Sequence, residues 1–124
     1  MSTPTMRTAG RELDAAVAEA LGWMPDPSSD SHFPHMIPPG LSGRSMAVPF
    51  FSLGLHAAWT VVEHMRHRGY TVQLDQDPTS DPHSAASARF FREGQRSESE
   101  AEEAATVPHA VCLAALAALA REGK

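Results

Sequence analysis

The sequence predicts a mixed α+β domain in which three helices pack against a small antiparallel sheet of about three strands. Apolar residues recur at three- and four-residue intervals in residues 11–21 and 52–68, as on one face of a helix. Residues 70–75 and 97–101 alternate between two kinds of side chain, as strands do. Residues 106–121, rich in alanine and leucine, have the composition of a buried helix.

The length of 124 residues fits one domain, residues 1–124, with a single modest core. Residues 1–8 show no periodicity and are expected to form a loose tail. Thr8 is then suited to cap the first helix, because its hydroxyl can accept hydrogen bonds from amides of the first turn. Gly22 is the expected end of this helix, since glycine enters the left-handed conformation without a Cβ clash. The apolar face of the helix is formed by Leu13, Ala16, Val17, Ala20 and Leu21.

Residues 23–49 form a proline-rich segment with six prolines. Proline removes backbone donors and fixes φ, so neither a long helix nor a central strand is expected, and the segment is interpreted as a loop insertion. Trp23, Phe33 and Met36 indicate that parts of it pack on the body of the domain. It is either an ordinary surface excursion or a lid or oligomer arm.

The second helix is expected to start at Ser52 as its cap and to end at Gly69. Its predicted buried stripe comprises Leu55, Ala58, Trp59, Val62 and Met65. The strand at residues 70–75 follows, with Tyr70, Val72 and Leu74 facing inward.

A hairpin with its turn at Glu93-Gly94 is expected next, which would place Arg92 opposite Gln95 and Arg89 opposite Glu98. In that register Ala88 and Phe90 share the inner face with Ser97, Ser99 and Ala101. The opposite face carries Arg89, Phe91, Arg96, Glu98 and Glu100. A slip of one residue would exchange the faces.

The last helix is expected to be capped by Thr106, with Pro108 in its first turn and Arg121 near its end. It is apolar on most sides, which predicts a position between the sheet and another layer, or at a subunit interface.

Composition excludes several classes of function. The formal charge of −5 gives no basic footprint for a nucleic-acid polymer. No apolar run approaches the length of a membrane span, and the start of the chain lacks the pattern of a signal peptide. One cysteine allows no internal disulfide. We therefore expect a protein of the cytoplasm, without a membrane partner.

Candidate chemical groups are few, and no cofactor is predicted. The pairs His32/His35 and His64/His67 are each three residues apart, a spacing that two metal ligands can have. A zinc site needs three or four ligands, and the sequence fixes no third one, so we favour structural or solvated histidines. Cys112 lies among apolar residues, which predicts an inert buried thiol. The glutamates between 98 and 103 fit a solvated strand face better than a pair of acid–base carboxylates. No metal site and no catalytic residue is predicted.

Arg89, Phe91 and Arg96 are the most suggestive group for ligand binding. Two guanidinium groups beside an aromatic ring are suited to bind phosphates and stack on a base. Cross-strand ion pairing with glutamates explains the arginines equally well. Trp23 and Arg44 of the proline-rich segment complete the predicted ligand-binding set.

Three stretches resemble the phage ABA sandwich family of small phage and prophage proteins. They are Gly10-Arg11-Glu12-Leu13-Asp14, the Ala57–Val62 block before Gly69-Tyr70, and Thr106-Val107-Pro108 before the alanine-rich helix. The chain has Phe51-Ser52-Leu53-Gly54 where the family often has a Tyr-Ser-Thr-Asp-like start, and its proline-rich insertion is longer. The resemblance implies a three-layer α/β/α sandwich with helices on both faces of an antiparallel sheet.

The resemblance also implies a function without catalysis. The family is similar to phage anti-defence sponges that sequester cyclic nucleotide or cyclic ADP-ribose-type immune signals, as homo-oligomers with pockets between subunits. The leading hypothesis is therefore a phage or prophage protein in the host cytoplasm that binds a small phosphorylated ligand. The alternative is an accessory protein–protein interaction module with no small-molecule ligand.

Overall fold

The computed structural model describes residues 8–26, 35–39, 44–76, 85–94 and 101–122. In these ranges the chain forms three α-helices: α1 (Arg11–Ala20), α2 (Leu55–His67) and α3 (Val107–Glu122). Six short strands build two three-stranded antiparallel sheets. The predicted mixed α+β class is confirmed, and the arrangement is consistent with an α/β sandwich.

The first sheet lies in the segment that the sequence analysis interpreted as a loop. Its strands β1 (Met24–Pro25), β2 (His35–Ile37) and β3 (Met46–Ala47) pair in the order β1-β2-β3. The expectation of an element order without strands here is wrong, because strands of two or three residues fit between the prolines. Pro25 lies on edge strand β1, where its missing N–H costs little.

The second sheet contains the predicted strand and hairpin. It consists of β4 (Thr71–Gln76), β5 (Ala86–Phe91) and β6 (Glu102–Ala104), with β5 in the centre. Tyr70 is buried and Val72 and Leu74 pack against the core, as predicted.

The predicted hairpin register is wrong in the described part. Ala88 pairs with Glu102 instead of Ser99, so the observed pairing of β5 with β6 is displaced by three residues. The displacement moves Ala104 to the inner face, where it is buried opposite Ala86. Glycine-containing turns vary in length. Residues 95–100, and with them the predicted pairs of Arg92 with Gln95 and Arg89 with Glu98, lie outside the described residues.

Helix α3 is the central layer. It packs on β5 and β6 on one side and on α1 and α2 on the other, which confirms its expected position between the sheet and another layer. Small side chains allow this close approach on both sides. The buried positions of α3 are Pro108, Ala110, Val111, Cys112, Leu113, Ala114, Ala115 and Ala118.

Two predicted capping residues have other roles. The N-caps of α1 and α2 are Gly10 and Gly54, so Thr8 and Ser52 are not the caps. Ser52 is instead buried and bonded to Gly10 and Asp14. At α3 the predicted cap is confirmed, since the amide of His109 donates to the Thr106 hydroxyl at 3.4 Å. Gly22 and Gly69 end their helices with φ of 101° and 93°, as expected.

Helix α2 presents a different face to the core than the sequence predicts. Its buried residues are Ala58, Val61, Val62 and Met65. Leu55 and Trp59, which were expected in the buried stripe, are 63% and 49% exposed. Val61 replaces them, so the buried face is rotated around the helix away from Leu55 and Trp59. Among the described residues, no helix is long and apolar enough to cross a membrane.

Candidate functional site

A polar cluster lies where α2 ends and β4 begins. The positive φ of Gly69 turns the chain, and Tyr70 then enters the core with 7% of its surface exposed. The Tyr70 ring packs edge-on against Phe90 of β5, with centroids 6.4 Å apart. Its hydroxyl donates to Glu122 Oε2 at 2.6 Å, so the tyrosine links the sheet to the end of α3.

Two arginines share the carboxylate of Glu122. Arg68 Nη2 contacts Oε1 at 2.5 Å, and Arg92 Nη2 contacts Oε2 at 3.2 Å. Arg92 also donates to the carbonyl of Arg68, and its guanidinium lies 4.5 Å from the centre of the Tyr70 ring. One negative charge therefore faces two positive charges, which leaves the cluster with a positive surplus.

The cluster shifts the pKa values of its acidic groups in opposite directions. Hydrogen bonding from Arg68, then from Tyr70, lowers the pKa of Glu122 below its ordinary value. Burial raises the pKa of the Tyr70 phenol, and the hydrogen bond to Glu122 adds to this effect. Glu122 is thus held as the carboxylate and Tyr70 as the neutral donor.

An open pocket of about 310 Å³, which we call the Tyr70 pocket, adjoins this cluster. It is lined by Glu63, Arg66, His67 and Tyr70. Arg66 Nη1 contacts Glu63 Oε1 at 3.1 Å, and its side chain is 58% exposed. His67 Nδ1 lies 2.7 Å from the carbonyl of Glu63, which leaves Nε2 as its other polar atom. The pocket lining thus combines a guanidinium–carboxylate pair with an imidazole and a tyrosine.

His64 lies on the same helix but is neutral. Burial lowers its pKa below the ordinary value, and the nearby Arg68 and His67 add to the effect. Its buried Nε2 has no hydrogen-bond partner within the part of the chain that the structure describes. His64 therefore adds no charge to the cluster at neutral pH.

The predicted ligand-binding residues lie elsewhere. Arg89 and Phe91 share one face of β5, directed away from α3, where they pair with Gln73 and Thr71 of β4. Both are half-buried, and the Arg89 Nε has no hydrogen-bond partner among the described residues. Arg96 lies outside the described residues. Arg89 and Phe91 thus stand together as predicted, and their role in ligand binding stays a prediction.

Trp23 and Arg44 flank the first sheet, whereas Arg89 and Phe91 belong to the second. Trp23 is half-buried and makes an edge-on contact with Phe51, with ring centroids 6.5 Å apart. Arg44 is exposed two residues before β3. Trp23 is therefore partly used in packing, and the four predicted residues that the structure describes are divided between the two sheets.

Sequence reasoning missed the cluster of Tyr70, Arg68, Arg92 and Glu122 because its residues come from separated elements. Arg66 and Arg68 lie outside the predicted buried stripe of α2, and Tyr70 was predicted to face the core. Only folding brings Arg92 and Glu122, which are 30 residues apart, onto the Tyr70 side chain. The available signal was the basic residues that crowd the end of α2 directly before a glycine turn.

Two other candidate groups are placed clearly. Cys112 is fully buried, and burial raises the pKa of its thiol, so the predicted inert role is confirmed. Within the described ranges, no group of three or more histidine, cysteine, aspartate or glutamate residues could hold a metal ion. His35 lies in β2, and His32 falls outside the described residues.

The Glu122 cluster predicts a pH-dependent stability. A carboxylate with a lowered folded pKa stabilises the fold above its ordinary pKa, and the contribution is lost as pH falls through the folded pKa. Glu122→Gln should therefore cost up to about 1 kcal/mol of unfolding free energy at pH 7, and less at pH 3. Urea denaturation at both pH values measures this, with Glu12→Gln on the exposed side of α1 as the control. A difference that stays constant down to pH 3 would contradict the assignment.

These features define the class of protein: a small α+β domain with an open pocket at the end of α2, beside the cluster of Tyr70, Arg68, Arg92 and Glu122. No protein-family model and no curated protein matches the chain. Among solved structures, a phage protein from Bacillus cereus ATCC 14579 matches with a TM-score of 0.69 and 21% identity. The match covers 97% of this chain and 93% of that one. At this identity the fold is what the two share, in line with the phage-type resemblance, and membership of the phage ABA sandwich family stays a prediction.

Proposed function

We propose that this chain is a phage- or prophage-encoded protein that binds a small phosphorylated ligand at the Tyr70 pocket without turning it over. The observation that carries the proposal is the charge surplus: Arg68 and Arg92 share the single carboxylate of Glu122 next to the pocket. The likeness to a phage protein supports the phage origin.

The lining of the pocket suits a phosphate group. Arg66 projects into solvent and is held at one end by Glu63, so part of its guanidinium fork remains available to a ligand. His67 Nδ1 is engaged by the carbonyl of Glu63, and Nε2 is its second polar atom at the pocket. A volume of about 310 Å³ lies at the lower end of the range for small-molecule sites.

Binding without turnover fits the state of the ionisable groups. The Tyr70 hydroxyl already donates to Glu122, and its raised pKa disfavours the phenolate that a nucleophile would need. Glu122 is occupied by three donors, Arg68, Arg92 and Tyr70, and its lowered pKa makes it a weak base. Tyr70 and Glu122 are therefore suited to fix the positions of Arg68 and Arg92 beside the pocket, and not to act as a nucleophile or a base.

The finer form of the proposal is an anti-defence sponge in the host cytoplasm that sequesters a cyclic nucleotide or cyclic ADP-ribose-type immune signal. Capture at nanomolar concentration needs about −12 kcal/mol of binding free energy. An open pocket on one chain encloses little of such a ligand, so a homo-oligomer that covers the pocket mouth is the more effective design.

Native mass spectrometry with cyclic ADP-ribose isomers and cyclic oligonucleotides tests the proposal. We expect a ligand-bearing species that releases the ligand intact on denaturation. In calorimetric titrations, Arg66→Ala and Arg68→Ala should each raise the Kd about tenfold or more, since a hydrogen bond to a charged group contributes about 1.5–3 kcal/mol.

Arg89→Ala and Arg44→Ala are the matched controls, because each removes an arginine outside the pocket. If these two variants weaken binding while Arg66→Ala and Arg68→Ala do not, the site lies on the residues predicted from sequence. A ligand recovered in altered form would contradict binding without turnover. No bound species across the panel would contradict the ligand class.

The alternative function, a protein–protein interaction module, is favoured by a separate observation. Phe50, Leu53, Leu55 and Trp59 expose large apolar surfaces at the start of α2. Loss of a partner protein on substitution of Leu55, with no ligand bound by the unsubstituted chain, would support this alternative.

A further inference from the structure

We infer that a second copy of this chain docks on the exposed apolar surface before and along the first half of α2, which we call the α2 patch. The patch consists of Phe50, Leu53, Leu55 and Trp59, whose exposed fractions are 52%, 60%, 63% and 49%. The inference names a surface that the ligand proposal does not use, and it stands without that proposal.

The four residues lie within ten consecutive positions of the chain, 50–59. The amides of Leu53 and Gly54 donate to the carbonyl of Phe50, which folds residues 50–54 into a compact turn directly before α2. Leu55 and Trp59 are four residues apart on the helix and therefore lie one above the other on the same side. Arg11 stacks over the Phe50 ring at 4.1 Å and fixes one edge of the patch.

The segment that carries the patch has no charged residue of its own, which favours a second copy over a partner of opposite charge. From Ser45 to Val62 the sequence has no lysine, arginine, aspartate or glutamate, although the chain carries a formal charge of −5. In a two-fold interface each residue near the axis meets its own copy, so any charge there would face an equal charge. The four patch residues carry no charge, and Arg11 at the edge is paired with Asp14. The patch therefore avoids that repulsion, whereas an oppositely charged partner would find no charged residue of the patch to match.

The size of the patch agrees with the apolar centre of a small dimer interface. About half of each of the four large side chains is exposed, which together amounts to on the order of 400 Å² of apolar surface. A stable interface buries about 800 Å² on each partner, with an apolar core and a polar rim. His56 and Thr60 are exposed beside Leu55 and Trp59 and can form part of that rim.

The α2 patch continues into the Tyr70 pocket. Beyond Trp59, the same side of α2 carries the ion pair of Glu63 with Arg66, which lines the pocket. A copy seated on the patch would therefore stand next to the pocket mouth.

Sedimentation equilibrium of the full chain, without ligand, tests the inference. At about 100 µM, well above a micromolar Kd, we expect a species of twice the 13.3 kDa chain mass. Leu55→Glu and Trp59→Glu should each restore the single-chain mass. Met24→Glu, which charges an equally exposed apolar side chain in β1, is the matched control and should leave the dimer intact.

A second measurement does not depend on how the charged variants fold. Because Cys112 is fully buried, Leu55→Cys introduces the one accessible thiol on the native chain. A short bismaleimide should link two copies through position 55 and should not link them through Met24→Cys. A monomer at every concentration, or equal crosslinking at both positions, would overturn the inference. Capture of a different protein by a monomeric chain would also overturn it.

Discussion

Asp14→Ala is expected to lower the free energy of unfolding by about 3–5 kcal/mol, the range for removing one partner from a buried charge pair. Asp14 lies on α1 with none of its surface exposed. Its Oδ1 accepts from the amide and the hydroxyl of Ser52, at 2.7 and 2.6 Å. Its Oδ2 accepts from Arg11 Nη1 at 2.8 Å. The substitution therefore removes the acceptor of three hydrogen bonds at once.

The loss would extend beyond α1. Arg11 also donates to the backbone carbonyls of Val48 and Pro49, and the amide of Gly10 donates to the Ser52 hydroxyl at 2.9 Å. These contacts hold the start of α1 against the segment that leads into α2. A single domain of this kind has about 5–15 kcal/mol of stability in total, so the variant is expected to be close to its folding limit at 37 °C.

Urea denaturation at pH 7 measures the effect of Asp14→Ala. Glu12→Ala, also in the first turn of α1 but exposed, is the control and should change the unfolding free energy by less than about 0.5 kcal/mol. Ser52→Ala removes one buried hydroxyl and should cost about 1–3 kcal/mol. Equal effects of the two acidic substitutions would show that Asp14 makes no specific contribution.

The hydrogen bonds of Asp14 and its neighbours give a structural role to Gly10-Arg11-Glu12-Leu13-Asp14, the first of the three stretches that resemble the phage family. Gly10, Arg11 and Asp14 all contact the segment at residues 48–52. A pattern search assigns Asp14 to the polar side of an amphipathic helix, because periodicity records hydrophobicity and not a buried partner. The partner, Ser52, lies 38 residues away and was itself predicted to cap a helix. Local rules therefore placed Asp14 in the right helix without its buried contacts, and the predicted capping role of Ser52 was wrong.

The elements that were predicted best are those determined by local sequence. The strand at β4, the cap at Thr106, the glycine ends of two helices and the buried alanine-rich helix each follow from a few neighbouring residues. The register of β5 with β6 and the face of α2 that is buried depend on what packs against them. For the same reason the cluster of Tyr70 with Arg68, Arg92 and Glu122 could not be predicted from any one segment.

Phe90→Ala is expected to lower the free energy of unfolding by about 3–5 kcal/mol, the usual cost of truncating a buried phenylalanine. Phe90 is 1% exposed and packs against Tyr70 on the side of β5 that faces α3. The cavity would lie between the central strand and the central helix, where neighbouring elements cannot close it without shifting. Loss of this ring also removes support from the Tyr70 side of the pocket.

Phe91→Ala is the matched control, since the same residue type is removed one position along the strand. Phe91 is half-buried on the opposite face of β5, and we expect its truncation to cost about 1–2 kcal/mol. Thermal and urea unfolding of both variants measure the contrast. Because strand side chains alternate, a register or facing error of one residue would reverse the order of the two effects. Such a reversal would contradict the placement of α3 on the Phe90 face, and with it the position of Tyr70 and Arg92.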